Sequence, residues 1–326
     1  PAVQAVFKGT GSKKIMLIAH MDTVYLKGML KGQPFRIDGD KAYGLGISDD
    51  KQGIALIIHT VALLQKLNFK DYGTLTVLIN GDEEISSPGW RSTITRVASE
   101  QDVVLSFEGG GTDGTLRLAT SGIGAAYLTV QGKASHAGAK PEDGVNALYE
   151  LSHQLLQMKD LSKTDEGLKL NWTVSKAGTN RNVIPAEATA QADARALRVA
   201  DFDGLEKGLQ EKVKSKLLPA SKVDVKFEVR RPPLEASDAS RRVAGYGKVI
   251  YQELGMSLNV VEKATGGGTD AAFAALKTRG AVVEGMGLSG YGAHSNDAEY
   301  VQINTIVPRL YLATRMIMDI SRDRVK

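Results

Sequence analysis

The stretch IMLIAHMDTV, residues 15–24, indicates how this protein is built. Five apolar residues of strand character, 15–19, are followed directly by His20, and Asp22 comes two positions later. In an extended chain residues i and i+2 project to the same side, so His20 and Asp22 are placed to contact each other or to share one target. The simpler interpretation is a strand end that emerges into solvent, and this stretch alone leaves both open.

Outward from this stretch, strand-like runs alternate with helical periodicities. The runs at 15–19, 74–80 and 102–107 are apolar nearly throughout, which is typical of parallel strands covered on both faces. A helix is predicted from about residue 51 to 67, between the first two runs, and another from near Ser87. The pattern predicts an α/β fold with a mostly parallel sheet flanked by helices.

A second architecture begins after residue 120. The predicted order is strand 125–132, helix 142–159, strand 169–177, strand 186–195, helix 202–217 and strand 222–230, which matches the βαββαβ order of the split ferredoxin-like motif. Beyond RRPP (230–233) the first style resumes, with predicted helices at 239–254, 269–278 and 303–320 and strands at 258–263 and 281–285. We therefore predict a discontinuous α/β domain, 1–120 and 233–326, with an α+β domain inserted at 121–232.

Composition excludes several classes of protein. The apolar fraction of 42% and the charged fraction of 24% are those of an ordinary soluble protein, and 326 residues suit about two domains. The net charge of +4 is dispersed, which argues against nucleic-acid binding, and the longest apolar run, 54–64, is too short to cross a membrane. The absence of cysteine excludes thiolate chemistry but leaves the compartment open, cytoplasmic or periplasmic. The chain begins at proline and without a signal peptide, as expected if an upstream segment is absent from it.

Polar side chains follow the ends of the first three predicted strands. They are His20 and Asp22 after the first strand, Asp82, Glu83 and Glu84 after the second, and Glu108 after the third. Asp49 and Asp50 lie at the start of the first helix. Since ligand sites gather at the carboxyl ends of parallel strands, these segments are predicted to converge at one sheet edge.

Each of these acids also has a purely structural interpretation. Asp49 is suited to cap the helix that follows it, the Glu83–Glu84 pair to form a solvated turn, and Glu108 to be a charged strand end. Any one of these interpretations is credible by itself. Together they require several unrelated coincidences at the same edge, so we favour a site.

The histidines favour a metal site in particular. His59 and His153 fall within predicted helices and are assigned structural roles, whereas His20, His136 and His294 fall in polar or glycine-rich strand-to-loop stretches. Imidazole and carboxylate ligands without thiolate suit zinc, or less specifically manganese or cobalt.

These residues carry a resemblance to a known family. HMDTV, GLGISDDK, NGDEE, VLSFE, GKASHAGAKPEDGVNAL, NVIPAEATAQADAR, TGGGTDAA and GAHSNDAEYV occur in this order along the chain. Together they resemble the M20 family of zinc metallopeptidases, and most closely its glutamate carboxypeptidase branch. The similarity spans essentially the whole chain, although family members usually begin with a further helical segment that this chain lacks.

The resemblance implies a set of metal ligands. Asp49 would bridge two zinc ions, the first of which is also bound by His20 and Glu108, and the second by Glu84 and His294. Asp22 would orient His20 through its other ring nitrogen. The Asp49–Asp50 peptide bond is commonly cis in this family.

The resemblance also implies the catalytic residues. Glu83 would be the general base, taking the proton of the attacking water. His136 on the inserted domain would donate to the developing oxyanion. In dimeric relatives this histidine reaches into the partner subunit's site, so we expect a homodimer formed through the inserted domain. As a loop histidine next to glycine, His136 also has a plain structural interpretation.

Substrate contacts are implied at two further places. Asn182 and Arg195 match family positions that hold a substrate carboxylate, which a guanidinium can bind bidentately, although Arg195 is equally suited to a surface ion pair. Gly267, Gly268 and Thr269 match the glycine loop that lines the substrate pocket, where missing side chains let backbone approach a ligand. The structural alternative for this loop is a tight strand-to-helix turn.

The predicted activity is hydrolysis of an amide next to a free carboxylate, with release of C-terminal glutamate from peptides or N-acyl-glutamates, folate-like substrates included. The alternative within the family is an aminoacylase or deacetylase that acts on N-acyl amino acids. A rival of another class uses Gly266, Gly268 and Ala271 as a G-x-G-x-x-A dinucleotide fingerprint, with Glu284 ending the next strand. A second rival is a non-catalytic binding protein on the same scaffold.

Overall fold

The computed structural model describes residues 1–264, 267–295 and 298–325. In chain order the strands are β1 (Val3–Lys8), β2 (Lys14–His20), β3 (Arg36–Asp38), β4 (Lys41–Tyr43), β5 (Thr74–Asn80), β6 (Val103–Ser106), β7 (Leu116–Arg117), β8 (Gly122–Gln131), β9 (Lys169–Ala177), β10 (Glu187–Ala196), β11 (Lys222–Arg231), β12 (Val260–Val261), β13 (Ala281–Val283), β14 (Gly290–Tyr291) and β15 (Tyr300–Gln302). The α-helices are α1 (Gln52–Lys66), α2 (Arg91–Ala98), α3 (Ala147–Gln157), α4 (Val199–Lys212), α5 (Asp238–Glu253), α6 (Ala271–Ala275) and α7 (Ile306–Ser321). None of these described helices is long and apolar enough to cross a lipid bilayer.

The chain divides into two units. The first consists of Pro1–Thr120 and Leu234–Lys326, and the second of Ser121–Pro233. The boundaries proposed from sequence, 120/121 and 232/233, lie at the first of these breaks and one residue before the second.

The main sheet of the first unit confirms the α/β prediction. Its strand order is β1-β5-β2-β6-β13, in which β5, β2, β6 and β13 are parallel. Ile15 and Leu17 pack on the side of α1, α5 and α7, and Met16 and Ile18 pack on the side of α2 and α6. The continuous apolar run of β2 therefore reflects a strand that is buried on both faces.

Several elements differ from the sequence prediction. Strand β1, which pairs antiparallel with β5 at the sheet edge, was not predicted, nor was the small sheet β14-β15-β4-β3. Ser87 does not begin a helix, because it is buried with a left-handed backbone (φ 52°) and α2 starts at Arg91. The predicted strand 258–263 shortens to β12, and the predicted helix 269–278 shortens to the five residues of α6.

The second unit has the predicted βαββαβ order. Strands β8 to β11 form one antiparallel sheet in the order β11-β8-β10-β9, which is the arrangement of a ferredoxin-like fold. In β10, alternate residues from Ala188 to Ala196 are buried alanines. Their small side chains leave room for the larger apolar residues of α3 and α4, among them Leu151, Phe202 and Leu209.

Candidate functional site

The five predicted metal ligands meet at one place in the first unit. Their ligand atoms form two groups, His20–Asp49–Glu108 and Asp49–Glu84–His294, and within each group the atoms lie within 4.8 Å of one another. Nε2 of His20 is 2.9 Å from Oδ1 of Asp49 and 3.4 Å from Oε1 of Glu108. Nε2 of His294 is 3.2 Å from Oδ2 of Asp49 and 3.0 Å from Oε2 of Glu84. Asp49 therefore faces both groups, one oxygen to each.

The ends of parallel strands explain this convergence. His20 is the last residue of β2, Glu84 follows β5 by four positions, and Glu108 follows β6 by two. Because these strands are parallel neighbours, their carboxyl ends deliver the three side chains to the same edge.

Asp49 lies outside α1 and does not cap it. The residue sits in the turn Ile47–Lys51 with an extended backbone, whereas α1 begins at Gln52 with Lys51 at its N-cap. The capping interpretation is therefore wrong. The peptide bond between Asp49 and Asp50 is cis, as the resemblance implied.

The two ligand groups together contain three carboxylates and two imidazoles. Burial raises the pKa of Glu108 well above its usual range, and the nearby Asp49 raises it further. Burial also raises the pKa of Glu84, again with a contribution from Asp49. Burial acts in the same direction on Asp49, but the contacts with His20 and His294 prevail and leave its pKa lowered. A group of crowded acids of this kind is suited to a multivalent cation.

Asp22 links the first group to the turn that follows β5. Nδ1 of His20 lies 3.3 Å from a carboxylate oxygen of Asp22 and 3.2 Å from its carbonyl oxygen. The same carboxylate accepts hydrogen bonds from the backbone N–H groups of Glu83 (3.1 Å) and Glu84 (2.9 Å). Asp22 thus contacts His20, as proposed from the i, i+2 spacing, and it also fixes the turn that carries Glu83, whose side chain is buried.

Glu299 is a residue of this site that the sequence reasoning missed. Its buried carboxylate accepts hydrogen bonds from the backbone N–H groups of Gly46 (2.7 Å), Ser48 (2.8 Å) and Asp49 (3.1 Å). The Tyr25 hydroxyl donates to Oε2 of the same carboxylate (2.5 Å). The signal in the sequence was an acid five residues after His294, within the motif GAHSNDAEYV.

The second unit brings His136 and Asn182 together. His136 is exposed and forms a bridge with Val183, and the N–H of Ala137 donates to the carbonyl of Asn182 (2.9 Å). Nδ1 of His136 accepts from the N–H groups of Gly138 (3.2 Å) and Ala139 (3.1 Å).

Arg195 lies far from this pair within the unit. Asn182 precedes β10, whereas Arg195 is near its end, and the extended stretch from Glu187 to Arg195 is roughly 26 Å long at about 3.3 Å per residue. The Arg195 guanidinium pairs with Asp193 at 2.9 Å. The two predicted carboxylate contacts therefore do not meet within one copy of this unit.

The glycine loop is described from Gly267 onward, and Thr265 and Gly266 lie outside the described residues. A Cβ added to Gly267 would meet open space, and Thr269 donates to the buried Glu284 (3.2 Å). The dinucleotide interpretation does not fit the described residues. Strand β12 has two residues and α6 has five, and the buried Glu284 is not exposed to a ribose. His59 and His153 lie on α1 and α3, outside both ligand groups, in keeping with structural roles.

Comparison with known proteins matches the chain to a peptidase family and to a carboxypeptidase. The profile of Peptidase family M20/M25/M40 matches residues 16–319. The chain is 49% identical over 318 residues to carboxypeptidase G2 of Pseudomonas sp. (strain RS-16), covering 97% of this chain and 76% of that protein.

Solved structures show the same fold. Aminopeptidase PepT from Bacillus cereus has a TM-score of 0.79 at 22% identity, covering 98% of this chain and 84% of its own. The YxeP protein of Bacillus subtilis, a dinuclear metal binding peptidase, has a TM-score of 0.69 at 16% identity, covering 98% and 85%. At these identities the likeness concerns the fold alone.

Proposed function

Because the chain belongs to peptidase family M20/M25/M40, we propose that it is a two-zinc carboxypeptidase that hydrolyses an amide next to a free carboxylate and releases C-terminal glutamate. The observation that carries this proposal is the pair of ligand groups that share Asp49. The acid and imidazole set, together with the match to carboxypeptidase G2, favours a hydrolase over a binding protein that has lost its chemistry.

The residues present fit two zinc ions. Histidine nitrogen and carboxylate oxygen are ordinary zinc ligands, and no thiolate is needed. Oε1 of Glu84 is buried and no donor within the described residues reaches it, so this oxygen is left for a cation. His20, Glu108 and Asp49 would hold one ion, and Glu84, His294 and Asp49 the other. When bound, such a pair lowers the pKa of water and polarises the scissile carbonyl.

Glu83 is the proposed general base. It is adjacent to the ligand Glu84 in a turn fixed by Asp22, and neither ligand group includes it. In this role its carboxylate takes a proton from the attacking water and passes it to the leaving nitrogen. Burial of the side chain keeps the carboxylate from being solvated in bulk water.

His136 is suited to donate to the developing oxyanion. Two backbone N–H groups point at its Nδ1, so this nitrogen is the acceptor and the proton of the neutral ring is on Nε2. The ring is exposed, which leaves Nε2–H available to a substrate oxygen. A neutral donor of this kind stabilises the oxyanion without needing to change its protonation state.

The separation of Arg195 from His136 and Asn182 supports a homodimer. If one substrate is to contact both ends of β10, its second contact must come from another copy of the unit, since roughly 26 Å separates the ends. A twofold dimer through the inserted domain would provide this for both sites at once. In this arrangement Arg195 binds the substrate carboxylate from one chain, and His136 and Asn182 come from the partner.

The substrate class is tested with a panel of amides. Hydrolysis rates for N-acyl-glutamate, aspartate, alanine and ornithine, measured with metal-loaded protein, should be highest for glutamate, including folate-like p-aminobenzoyl-glutamate. Preference for alanine or ornithine would favour the aminoacylase or deacetylase alternative. Chelation should abolish hydrolysis and added Zn²⁺ should restore it, and unchanged activity in metal-free protein would refute the two-zinc proposal.

A further inference from the structure

Glu299 is an unusual buried acid in the first unit. Its side chain is 3% exposed, and within the described ranges it has no ion-pair partner. A buried carboxylate without a cation must be stabilised by hydrogen-bond donors, and here the donors are three backbone N–H groups and one phenol.

These donors all belong to segments next to the metal site. Oε1 accepts from Ser48 and Asp49, and Oε2 accepts from Gly46. The backbone that leads into Asp49 from its N-terminal side is therefore held by one carboxylate. Gly46 has a left-handed backbone (φ 69°), so this turn depends on a specific conformation that hydrogen bonds must maintain.

Tyr25 connects the same carboxylate to a second ligand-bearing segment. Its hydroxyl lies 2.5 Å from Oε2 of Glu299 and 2.9 Å from the carbonyl oxygen of Ser295, the residue after His294. Tyr25 itself follows His20 by five residues. One buried acid thus contacts or adjoins the segments that carry His20, Asp49 and His294.

We infer that Glu299 is a positioning residue for Asp49, and that its loss weakens the binding of both metal ions together. The inference rests on the proposed two-metal site, because Asp49 is the one ligand common to both groups. Loss of a residue that orients a ligand of one ion would weaken the binding of that ion alone. Loss of a residue that only stabilises the fold would lower the unfolding temperature and leave metal affinity in the folded protein unchanged.

Glu299→Gln tests this with little change in shape. The amide can keep its oxygen toward Ser48 and Asp49, but its NH₂ group then faces the N–H of Gly46, and the negative charge is gone. Residues that orient metal ligands typically contribute 10- to 100-fold to metal affinity, so we expect a loss of about 10- to 100-fold at both sites. Glu253→Gln is the matched control, because Glu253 is an exposed acid of the same unit that also accepts from a tyrosine, Tyr311.

The measurement is Zn²⁺ titration of metal-free protein against a competing chelator, with stoichiometry from elemental analysis and folding checked by circular dichroism. Wild type and Glu253→Gln should each bind two ions, with the same affinities in both proteins. Glu299→Gln should bind both ions more weakly than wild type. The inference would be overturned if Glu299→Gln bound Zn²⁺ as tightly as wild type, or if the binding of only one ion were weakened. Wild type that binds fewer than two ions would instead refute the proposed metal site.

Tyr25→Phe keeps the inference testable if Glu299→Gln does not fold. It removes one of the four donors to Glu299 without changing charge, so we expect both ions to bind more weakly than in wild type but less weakly than in Glu299→Gln. Zn²⁺ binding unchanged from wild type in a folded Tyr25→Phe protein would then contradict the positioning role.

Discussion

Replacement of Asp22 by asparagine separates two contributions of one side chain. In the wild type, the Asp22 carboxylate accepts from the N–H groups of Glu83 and Glu84 and lies 3.3 Å from Nδ1 of His20. The Asp22 carbonyl oxygen, 3.2 Å from the same nitrogen, is retained in Asp22→Asn. The imidazole therefore keeps its Nδ1–H tautomer, and what is lost is the negative charge and one of two acceptor oxygens.

The expected decrease in the free energy of unfolding of Asp22→Asn follows from these hydrogen bonds. Two hydrogen bonds to a charged acceptor contribute about 3–6 kcal/mol to the free energy of unfolding, and a single neutral one about 0.5–1.5 kcal/mol. The Asp22 side chain is 21% exposed, so water can solvate part of what is lost, and we expect the lower end, about 2–3 kcal/mol. For a unit of this size that corresponds to a decrease of roughly 4–12 °C in unfolding temperature. Zn²⁺ affinity at the His20 site should decrease by about tenfold, the lower end for a group that orients a ligand, because the carbonyl contact survives.

The assay is thermal unfolding of the metal-free protein followed by Zn²⁺ titration of the folded protein at 25 °C. Asp38→Asn provides the control, since it removes the same charge from an exposed strand of the same unit. An Asp22→Asn protein that unfolds within about 1 °C of Asp38→Asn would show that the two backbone bonds contribute nothing measurable. Unchanged Zn²⁺ affinity would refute the orienting role toward His20.

Four further predictions follow from the site and its surroundings. Glu83→Gln should retain both zinc ions by elemental analysis yet lose about 10²-fold or more in kcat, and loss of both ions would mean that the roles of Glu83 and Glu84 are exchanged. Amidation of the substrate's C-terminus should reduce kcat/KM of the wild type far more than that of Arg195→Ala, and equal reductions would place the carboxylate site elsewhere. Mixed dimers of His136→Ala and Glu83→Gln should regain hydrolysis at one site if His136 acts on the partner's site, and verified subunit exchange without recovery would contradict this. Burial raises the pKa of Glu284 to about 7, above its value in an unfolded chain, so ionisation of this side chain destabilises the fold as pH rises from about 4 to 7. Glu284→Gln should therefore unfold at a higher temperature than wild type at pH 8. At pH 5 the difference in unfolding temperature, measured by the same calorimetry, should be smaller.

Strand ends could be predicted from sequence because parallel strands give a simple geometric rule. An apolar run covered on both faces must be an interior strand, and its carboxyl end lies beside those of its neighbours. This rule placed His20, Glu84 and Glu108 at one edge without knowledge of the strand order, and the structure brings them together. The rule gives no information on strand β1, whose pairing with β5 joins residues about seventy positions apart and which contains no buried residue.

The separation of Asn182 from Arg195 was already implied by the predicted strand. A strand from 186 to 195 puts Arg195 at its end and Asn182 before its start, so one extended element must separate the two side chains. Matching each residue to a family motif did not reveal this, because a motif assigns a role without stating which copy of the chain supplies it. The geometry of a single strand thus gives a second reason, besides the resemblance to dimeric relatives, for a test in mixed dimers.

The hydrogen-bond partners of each carboxylate oxygen distinguish the acids that would bind metal from those that hold the ligands in place. Residue type and spacing do not make this distinction. Both oxygens of Asp22 and both oxygens of Glu299 accept hydrogen bonds, and those of Asp50 accept from Gln52 and from the N–H of His20. Such oxygens have their lone pairs engaged and are poorly placed to coordinate an ion. In the described structure Asp49 directs its two oxygens to two different imidazoles, and Glu84 leaves Oε1 without a donor. Adjacent acids such as Asp49 and Asp50 thus have different roles because backbone and amide donors occupy one of them and leave the other to the imidazoles.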